Sequence, residues 1–237
     1  VYVGSDDGKV YCLNALTGAH IWNYTTGTKI MYSSPAVADG KVYVGSYDRK
    51  VYCLDALTGA HIWNYTTGDW VLYSSPAVAG GRVYVGSYDR KVYCLDAVTG
   101  VHVWNYTTSG YVGSSPAVAD GKVYVGSHDR KVYCLDAVTG VHIWSYATGY
   151  TVGSSPAVAG GKVYVGSCDH KVYCLDAVTG SHIWNYRTGD RVWSSPAVAD
   201  GMVFVGSDDG TVYAFGDVIR VPEDYPTVQE AINNATS

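Results

Sequence analysis

The chain has 237 residues, of which 47% are hydrophobic and 16% are charged. A formal net charge of −5 argues against the basic surface that nucleic-acid-binding proteins present. No apolar run approaches the roughly 18 residues that a membrane-spanning helix needs, so no membrane span is expected in this segment.

A repeat of about forty residues runs along almost the whole chain. The sequence VYVGS, or VFVGS in its last copy, begins at Val1, Val42, Val83, Val123, Val163 and Val203. The copies are 41, 41, 40, 40 and 40 residues apart. A fixed period with several short strands per unit is typical of radial or stacked repeat folds. No segment before the C-terminus shows a helical period, which excludes a helical solenoid.

Four strands, here called A, B, C and D, are predicted in each complete unit, as in residues 72–109. Strand A (75–79) carries a proline near its start, which a strand tolerates there. Strands B (82–86), C (91–95) and D (102–106) are rich in β-branched and aromatic residues. Four antiparallel strands joined by short turns make one blade of a β-propeller.

The units at the two ends are incomplete. The predicted units are 1–27, 31–68, 72–109, 112–149, 152–189 and 192–216. The first supplies strands B, C and D, and the last supplies A, B and C. The sequence therefore predicts an all-β propeller domain over 1–216, with about six four-stranded blades. Since strand A is missing at one end and strand D at the other, we expect either absent upstream sequence or an open ring.

Residues 217–237 differ from the repeats. A strand ending at Pro222 is followed by Thr227 and Glu230, which have the spacing of a helix capping box. This segment resembles the opening cap of right-handed parallel β-helix domains and is expected to start a following domain. Because the chain also begins at Val1 in mid-strand and without Met, we expect it to be part of a longer protein.

A tryptophan recurs in strand D, four residues after a glycine that follows threonine. The tryptophans are Trp22, Trp63, Trp104, Trp144 and Trp184, and the glycines are Gly18, Gly59, Gly100, Gly140 and Gly180. A buried indole needs one partner for its N–H, and a glycine lets a ring lie on the backbone. We expect these residues to dock neighbouring blades against each other.

The motif around these residues carries a family resemblance. Asp-Ala-x-Thr-Gly-x-x-x-Trp begins at Asp55, Asp96, Asp136 and Asp176, and Asn14 replaces the aspartate in the first copy. It resembles the tryptophan-docking motif of quinoprotein-type, PQQ-like β-propeller repeats, over roughly 1–215. The resemblance implies the fold, and a setting in archaeal or bacterial cell-surface proteins where such propellers adjoin β-helix domains.

Catalysis is not expected. A quinoprotein dehydrogenase needs an asymmetric set of base, cofactor clamp and metal, whereas near-identical blades place the same residues in rings. The adjacent cysteine pair and the calcium-binding carboxylates of the dehydrogenases are also missing. We therefore predict no catalytic, cofactor-binding or metal-binding residue, and no cofactor. The cysteines are expected to be buried and unpaired; they are Cys12, Cys53, Cys94, Cys134, Cys168 and Cys174.

Two further patterns in strand D have structural explanations. A histidine recurs two residues before each docking tryptophan, and these histidines are expected to be dispersed polar rim residues. Asn23, Asn64 and Asn105 in strand D each start an N-glycosylation sequon, as does Asn234 in the C-terminal segment. Strand composition alone could produce those matches, so glycosylation stays open.

The repeats differ mainly in the B–C turns and the D–A connections. Alternating strands place both on one face of the ring, which therefore carries Tyr47, Arg49, Trp70, Tyr88, Arg90, Tyr111, His128, Arg130, Tyr150, His170 and Trp193. The three arginines occupy a turn position where other copies have glycine, at a cost of about 1 kcal/mol if that position is left-handed. Variation on one face at a local cost suggests a binding surface; neutral drift after duplication is the alternative.

These observations predict a non-catalytic propeller scaffold or binding module within a larger extracellular or cell-surface protein. It would bind a partner protein or a glycan through the variable face, and no nucleic acid. The alternative is an envelope protein-assembly scaffold. A PQQ-dependent dehydrogenase is the third and least favoured interpretation.

Overall fold

The computed structural model describes residues 1–216, which form 22 β-strands and no helix. The strands are β1 (Tyr2–Gly4), β2 (Lys9–Leu13), β3 (His20–Thr25), β4 (Ala36–Ala38), β5 (Lys41–Gly45), β6 (Lys50–Asp55), β7 (His61–Thr66), β8 (Ala77–Ala79), β9 (Arg82–Gly86), β10 (Lys91–Asp96), β11 (His102–Thr107), β12 (Ala117–Ala119), β13 (Lys122–Gly126), β14 (Lys131–Asp136), β15 (His142–Ala147), β16 (Ala157–Ala159), β17 (Lys162–Ser167), β18 (Lys171–Asp176), β19 (His182–Arg187), β20 (Ala197–Ala199), β21 (Met202–Gly206) and β22 (Val212–Phe215). The predicted C-terminal strand and capping box lie outside the described residues.

The strands form six antiparallel sheets in which sequence neighbours pair. Sheet 1 is β1–β3, sheet 2 is β4–β7, sheet 3 is β8–β11, sheet 4 is β12–β15, sheet 5 is β16–β19 and sheet 6 is β20–β22. Within the described residues, sheet 1 has strands B, C and D, and sheet 6 has A, B and C. The predicted all-β, propeller-type fold with incomplete terminal blades is confirmed.

Each central strand C pairs with strand B on one side and strand D on the other. In sheet 3, Cys94 lies opposite both Tyr84 and Trp104. A β-bulge follows, so that Leu95 pairs with His102. The same bulge recurs in the other sheets that have a strand D. Bulges increase strand twist, and here the extra residue sits beside the tryptophan that contacts the next sheet.

Both faces of an inner sheet are apolar because successive side chains of a strand point to opposite faces. In sheet 3 one face packs on sheet 4 through Tyr84, Val92, Cys94 and Trp104, and the other packs on sheet 2 through Val83, Val85, Tyr93, Leu95 and Ala97. Five such clusters join sheets 1 to 6 in order. In the part of the chain described, none of these clusters contains residues of both sheet 6 and sheet 1.

The tryptophan contact between sheets 2 and 3 has a simple geometry. The Trp63 indole N–H donates to the Ala97 carbonyl oxygen at 3.2 Å, and the Tyr43 hydroxyl donates to that same oxygen at 3.0 Å. A Cβ on Gly100, whose φ is +73°, would lie 2.6 Å from the Trp63 ring. Only glycine fits there. Trp22, Trp104 and Trp144 repeat both contacts with the next sheet, whereas Trp184 is only partly buried, against Phe215.

The cysteines lie inside this packing. All six are buried and free. Burial raises the pKa of the Cys94 thiol to about 11 and that of Cys53 to about 12. Both thiols are therefore protonated at neutral pH, so they behave as small apolar side chains.

The histidines of strand D are exposed at the outer rim, as the sequence suggests. In sheet 3, His102 Nε2 lies 2.9 Å from the side-chain nitrogen of Asn105, the first residue of a sequon. Asn185, which starts no sequon, makes the equivalent contact with His182 at 2.8 Å. The pairing therefore belongs to the repeat and is independent of the sequon.

The innermost strands of neighbouring sheets are tied together by serines just ahead of strand A. The Ser34 backbone N–H donates to Ser75 Oγ at 2.8 Å, and Ser75 N–H donates in turn to Ser115 Oγ at 2.9 Å. The series continues from Ser115 to Ser155 and from Ser155 to Ser195. These bonds fix the ends of the D–A connections, where the candidate site lies.

Residues 1–216 contain no helix that is long and apolar enough to cross a membrane.

Candidate binding site on the turn face

The B–C turns and D–A connections meet on one side of the molecule, called here the turn face. The backbone N–H of Tyr88, in a B–C turn, donates to the carbonyl oxygen of Trp70, in the preceding D–A connection, at 2.9 Å. His128 N–H makes the same bond to the Tyr111 carbonyl oxygen, also at 2.9 Å. Each variable turn is therefore held against the variable connection that precedes it.

Aromatic side chains on the turn face stack on each other across several sheets. This aromatic belt consists of Tyr32, Tyr47, Trp70, Tyr73, Tyr88, Tyr111, His128 and Trp193. The closest pairs are Tyr47 with Trp70, Tyr32 with Tyr73, and Tyr88 with Tyr111, whose ring centroids are 4.2, 4.6 and 4.9 Å apart. Longer contacts of 6.0 to 6.5 Å connect these pairs to His128 and Trp193. Offset aromatic contacts over such distances are favourable, so the belt is a preformed surface.

A cavity of about 520 Å³ opens within the belt. Its lining residues are Tyr73, Tyr88, Gly113, His128, Gly153, Ser155, Trp193 and Ser195. Gly113 and Gly153 stand where the first two units have Tyr32 and Tyr73, so neither position adds a side chain to the cavity lining. The Trp193 ring lies on Gly153, where a Cβ would come within 2.2 Å of it. The volume is in the range of small-ligand pockets.

Sequence reasoning missed two members of the belt. Tyr32 and Tyr73 end the first two D–A connections and have φ values of +56° and +63°. A left-handed backbone at tyrosine is uncommon and carries a local cost. The available signal was the repeat alignment, in which this position reads Tyr, Tyr, Gly, Gly and Trp while its serine neighbour never changes.

The centre of the belt is electrically neutral at pH 7. Burial lowers the pKa of His128 below its ordinary value, and Asp129 opposes this only in part. Burial, with smaller contributions from Tyr73, Tyr111 and Tyr47, raises the pKa of Tyr88 to about 12. The cavity therefore offers ring faces, hydroxyl groups and a neutral imidazole to a ligand.

The arginines predicted for this face do occupy a left-handed turn position. Arg49 and Arg90 have φ of +71°, Arg130 has +74° and His170 has +67°, while Gly8 and Gly210 have +81° and +82° at the same place. Glycine is the residue that this backbone favours. Four of the six copies therefore carry a side chain there against a local cost.

The aspartate just before the left-handed residue of a B–C turn accepts hydrogen bonds that hold the fold together. Asp48 Oδ2 accepts from the Tyr52 hydroxyl at 2.5 Å and from the Gly27 N–H of the preceding sheet at 3.0 Å. Asp89 accepts from the Tyr93 hydroxyl and from the Gly68 N–H in the same way. In five of the six B–C turns this aspartate accepts a backbone N–H of the preceding unit, which explains why those turns keep it while the neighbouring residues change.

Six of the eleven predicted face residues lie in the belt: Tyr47, Trp70, Tyr88, Tyr111, His128 and Trp193. The other five lie outside the belt. Arg130 sits 5.5 Å from the centre of the Tyr150 ring, and His170 Nε2 is 3.7 Å from the Asp190 carboxylate. Arg90 borders a shallower depression beside Tyr111 and His128, and Arg49 is exposed. Cys168, in the turn place of Tyr47 and Tyr88, is buried.

The residues at the cavity suit neither a metal nor a carboxylated quinone cofactor. In residues 1–216, no group of three or more His, Cys, Asp or Glu side chains is arranged to hold a metal ion. The cavity lining contains no arginine, lysine or carboxylate, although clamping a carboxylated quinone needs cationic partners. The face is instead suited to non-covalent contact with apolar and aromatic groups, with arginines at the edge.

Comparisons with known proteins agree with this architecture. A family model described as outer membrane protein assembly factor BamB matches residues 1–72, 67–151 and 147–218. No curated protein sequence matches the chain. Among solved structures, the chain is similar to the computationally designed Ika8 protein, with 20% identity, a TM-score of 0.82, and coverage of 91% of this chain and 67% of that one. It is also similar to BamB from Moraxella catarrhalis, with 21% identity, a TM-score of 0.61, and coverage of 92% and 80%.

Proposed function

Since this chain belongs to the PQQ-like repeat family whose model is described as outer membrane protein assembly factor BamB, we propose that it is a non-catalytic scaffold that holds a partner protein on its turn face. The family description supports a role in protein assembly and a place in the cell envelope. The sequence identities to the Ika8 protein and to BamB from Moraxella catarrhalis are both under 25%, so these solved structures support the fold alone.

The observation that carries the proposal is the aromatic belt with its cavity. Tyrosine and tryptophan give large, rigid contact areas at low entropic cost, and they are enriched where binding energy concentrates. Trp193 remains 43% exposed and Tyr111 44% exposed although both are held in ring contacts. Partly exposed rings that are already ordered lose little conformational freedom on binding.

The partner's contact segment is an extended stretch that places an aromatic or proline side chain in the cavity. Tyrosine-lined grooves recognise such segments through ring stacking. Arg90, at the depression that it lines with Tyr111 and His128, and Arg130, beside Tyr150, would receive acidic residues of the same segment, because guanidinium groups bind carboxylates in bidentate fashion. Stacking dominates this arrangement, so binding should weaken only moderately with salt.

Site-specific crosslinking tests the proposal. A photoreactive phenylalanine replaces Tyr111 in the belt or, in the control, Leu57, which is 83% exposed in a C–D turn. Envelope fractions are irradiated, and the captured protein is then purified and titrated. We expect one protein to be captured from Tyr111 and not from Leu57. Capture from Leu57 alone would contradict the proposal.

A pair of variants locates the binding energy. Gly113→Tyr introduces the residue type of the first two units and is designed to fill the cavity; a Cβ there comes no nearer than 3.5 Å to its neighbours. Trp193→Ala removes one wall. Each should weaken binding of the purified partner at least tenfold, while Gly121→Ala in an A–B turn should not. Equal effects of all three would mean that the turn face is not the site.

The glycan interpretation is tested in parallel. The comparisons lend it no support, and the same rings could stack on sugars, so an array of acidic and neutral glycans is the direct assay. Binding to a glycan that Gly113→Tyr abolishes, without a protein partner, would replace the proposal. The non-catalytic part is tested with added pyrroloquinoline quinone and calcium: alcohol-dependent dye reduction above background would overturn it.

A further inference from the structure

The C–D turns lie on the side of the molecule opposite the turn face, because paired strands run in alternating directions. In residues 1–216 five units have this turn, and in each of them it exposes one aliphatic side chain, called here a C–D tip. The tips are 62% to 96% exposed; they are Leu16, Leu57, Val98, Val138 and Val178. Val101 and Val141, each three residues after a tip, are also exposed. All five tips therefore lie on one face.

The C–D turn does not need an aliphatic residue to keep its conformation. Asp55 Oδ1 accepts from the Leu57 N–H at 3.0 Å, and from the Thr58 N–H and hydroxyl at 2.8 Å each. The Leu57 side chain takes no part in these bonds, and surface turns generally favour small and polar residues. The tip is leucine in two units and valine in three. This position has therefore changed in identity and remained aliphatic, a choice that the local fold does not explain.

The charges near the tips are balanced or negative. Hydrogen bonds from Thr58, and to a smaller extent the charge of Lys41, hold the pKa of Asp55 below its ordinary value. Arg82 and Lys122 act in the same way on the corresponding aspartates of sheets 3 and 4. The A–B turns on the same face add three exposed aspartates, Asp39, Asp120 and Asp200. The face thus offers aliphatic groups without a surplus of positive charge, which argues against an anionic ligand.

The separation of the tips favours a lipid surface over a protein. Each tip belongs to a different sheet, and sheets that pack face to face lie about 10 Å apart. Polar side chains stand between the tips, since a threonine follows each of them. A stable protein interface needs about 800 Å² of continuous, complementary surface on each side, which five separated side chains do not form. A fluid bilayer surrounds each inserted side chain separately and needs no such continuity.

We propose that the five C–D tips insert together into the interfacial region of a bilayer with zwitterionic headgroups, so that the protein lies on the membrane with its turn face directed away from it. Binding of this kind scales with the apolar area that leaves water. One leucine or valine alone gives marginal binding, whereas five on one scaffold bind as a unit. The tips are separate from the aromatic belt, so membrane binding leaves the belt free for a partner protein.

Flotation with vesicles of phosphatidylcholine and phosphatidylethanolamine tests the inference. A variant with Leu16→Ser, Leu57→Ser and Val98→Ser removes three tips, and serine suits such turns. The control variant, Tyr111→Ser with Tyr150→Ser, removes two exposed rings from the turn face. We expect the triple variant to lower the partition coefficient at least about tenfold, and the control to change it less than about twofold. Circular dichroism checks that both variants fold like the parent.

A fluorescent label reports insertion directly. Leu57→Cys or, as the control, Tyr150→Cys is coupled to a dye whose emission rises in apolar surroundings. The six native cysteines are buried, so labelling of the folded protein is selective. Added vesicles should raise the emission of the dye at the Leu57 position and not at the Tyr150 position. Binding should persist in about 1 M salt, which screens charges beyond about 3 Å, and anionic phosphatidylglycerol should not strengthen it.

Several results would overturn the inference. One is a parent protein that does not float with the vesicles, and another is a triple variant that binds them as tightly as the parent. Binding that requires phosphatidylglycerol and is lost in salt would replace aliphatic insertion by charge attraction. A dimer of the parent in sedimentation that the triple variant does not form would assign the tips to a second copy of this chain.

Discussion

The contact between two neighbouring sheets and the turn face belong to the same repeat. Their residues differ in how much they vary from copy to copy. At the contact, the tryptophan, its tyrosine companion and the receiving glycine recur with nearly the same distances from one sheet to the next. On the turn face, the residue before the bridging aspartate reads Asp, Tyr, Tyr, His, Cys and Asp. Side chains enclosed by two sheets cannot change alone, whereas those bounded by one backbone turn can.

The two regions also differ in where the backbone is unfavourable. At the sheet contact every receiving position with positive φ is a glycine. On the turn face, Arg49, Arg90, Arg130, His170, Tyr32 and Tyr73 adopt positive φ with a side chain. Local cost of this kind tends to gather at functional sites. Asp39, Asp120 and Asp200 of the A–B turns also adopt positive φ, but aspartate tolerates this backbone better than arginine or tyrosine. The contrast therefore agrees with a scaffold whose interior is uniform and whose turn face is specialised.

The largest expected effect is the loss of stability when a tryptophan of the sheet contact is replaced, compared with the loss for a tryptophan of the turn face. Trp104 is 7% exposed and Trp193 is 43% exposed. Trp104→Ala should lower the free energy of unfolding by about 3–5 kcal/mol, the usual loss for a core tryptophan. Trp193→Ala should cost about 2 kcal/mol, because only a little more than half of its surface is buried. Urea titrations measure both, and equal losses would break the comparison.

Alanine substitutions at two glycines separate the energetic cost of a clash with the ring from the cost of a left-handed backbone. Gly100 and Gly81 have φ of +73° and +71°, but a Cβ meets the Trp63 ring only at Gly100. Gly81→Ala should cost about 1 kcal/mol for the left-handed backbone alone. Gly100→Ala should cost about 1–3 kcal/mol more, the usual penalty of overpacking. If both variants unfold at the same urea concentration, the ring contact does not require glycine.

The third prediction is a substitution that stabilises the protein instead of destabilising it. Arg90→Gly should raise the free energy of unfolding by up to about 1 kcal/mol, because it relieves a left-handed residue. Arg82→Gly, in strand β9, is the matched control and should lower it by about 0.5–1 kcal/mol. Loss of stability in both variants would show that Arg90 carries no backbone cost, and the contrast between the two regions would weaken.

The period of the repeat was enough to predict the sheets. Alternating apolar residues, glycine turns and one tryptophan per unit gave the strand order and the incomplete ends, because these features depend on local backbone preference and on contacts repeated at a fixed spacing. The strand boundaries differ by one or two residues: β8 begins at Ala77 instead of Ser75, and β10 extends to Asp96.

The sequence was enough to predict where the turn face lies, but not how its side chains are arranged relative to each other. Variation among copies picked out Tyr88, His128 and Trp193, yet the cavity that they line also depends on Gly113 and on Gly153, on which the Trp193 ring lies. A cavity depends on distances between residues of different sheets, which no single unit encodes. Tyr32 and Tyr73 vary among the copies like the other face residues, but their place in the belt goes with a left-handed backbone that the repeat alignment does not reveal.

The smallest expected effect concerns acid, and it sharpens the comparison within the C–D turns. Asp96 accepts from the Thr99 N–H at 2.9 Å, from the Thr99 hydroxyl at 2.9 Å and from the Val98 N–H at 3.1 Å. These bonds, those of Thr99 first, hold the pKa of Asp96 below its ordinary value. Its contribution to stability is therefore present above the unfolded pKa of about 3.9 and is lost as pH falls through the lower folded value.

Asparagine offers a matched test because Asn14 already fills this place in sheet 1, with its amide oxygen accepting both turn N–H groups. Replacing all four aspartates, Asp55, Asp96, Asp136 and Asp176, by asparagine should keep the turns and remove this part of the pH dependence. Urea midpoints of the parent and the variant, taken from pH 7 to pH 2, should differ most at neutral pH and converge in acid. A difference that stays constant over this range would mean that the carboxylate charge adds nothing to the turn beyond its oxygen.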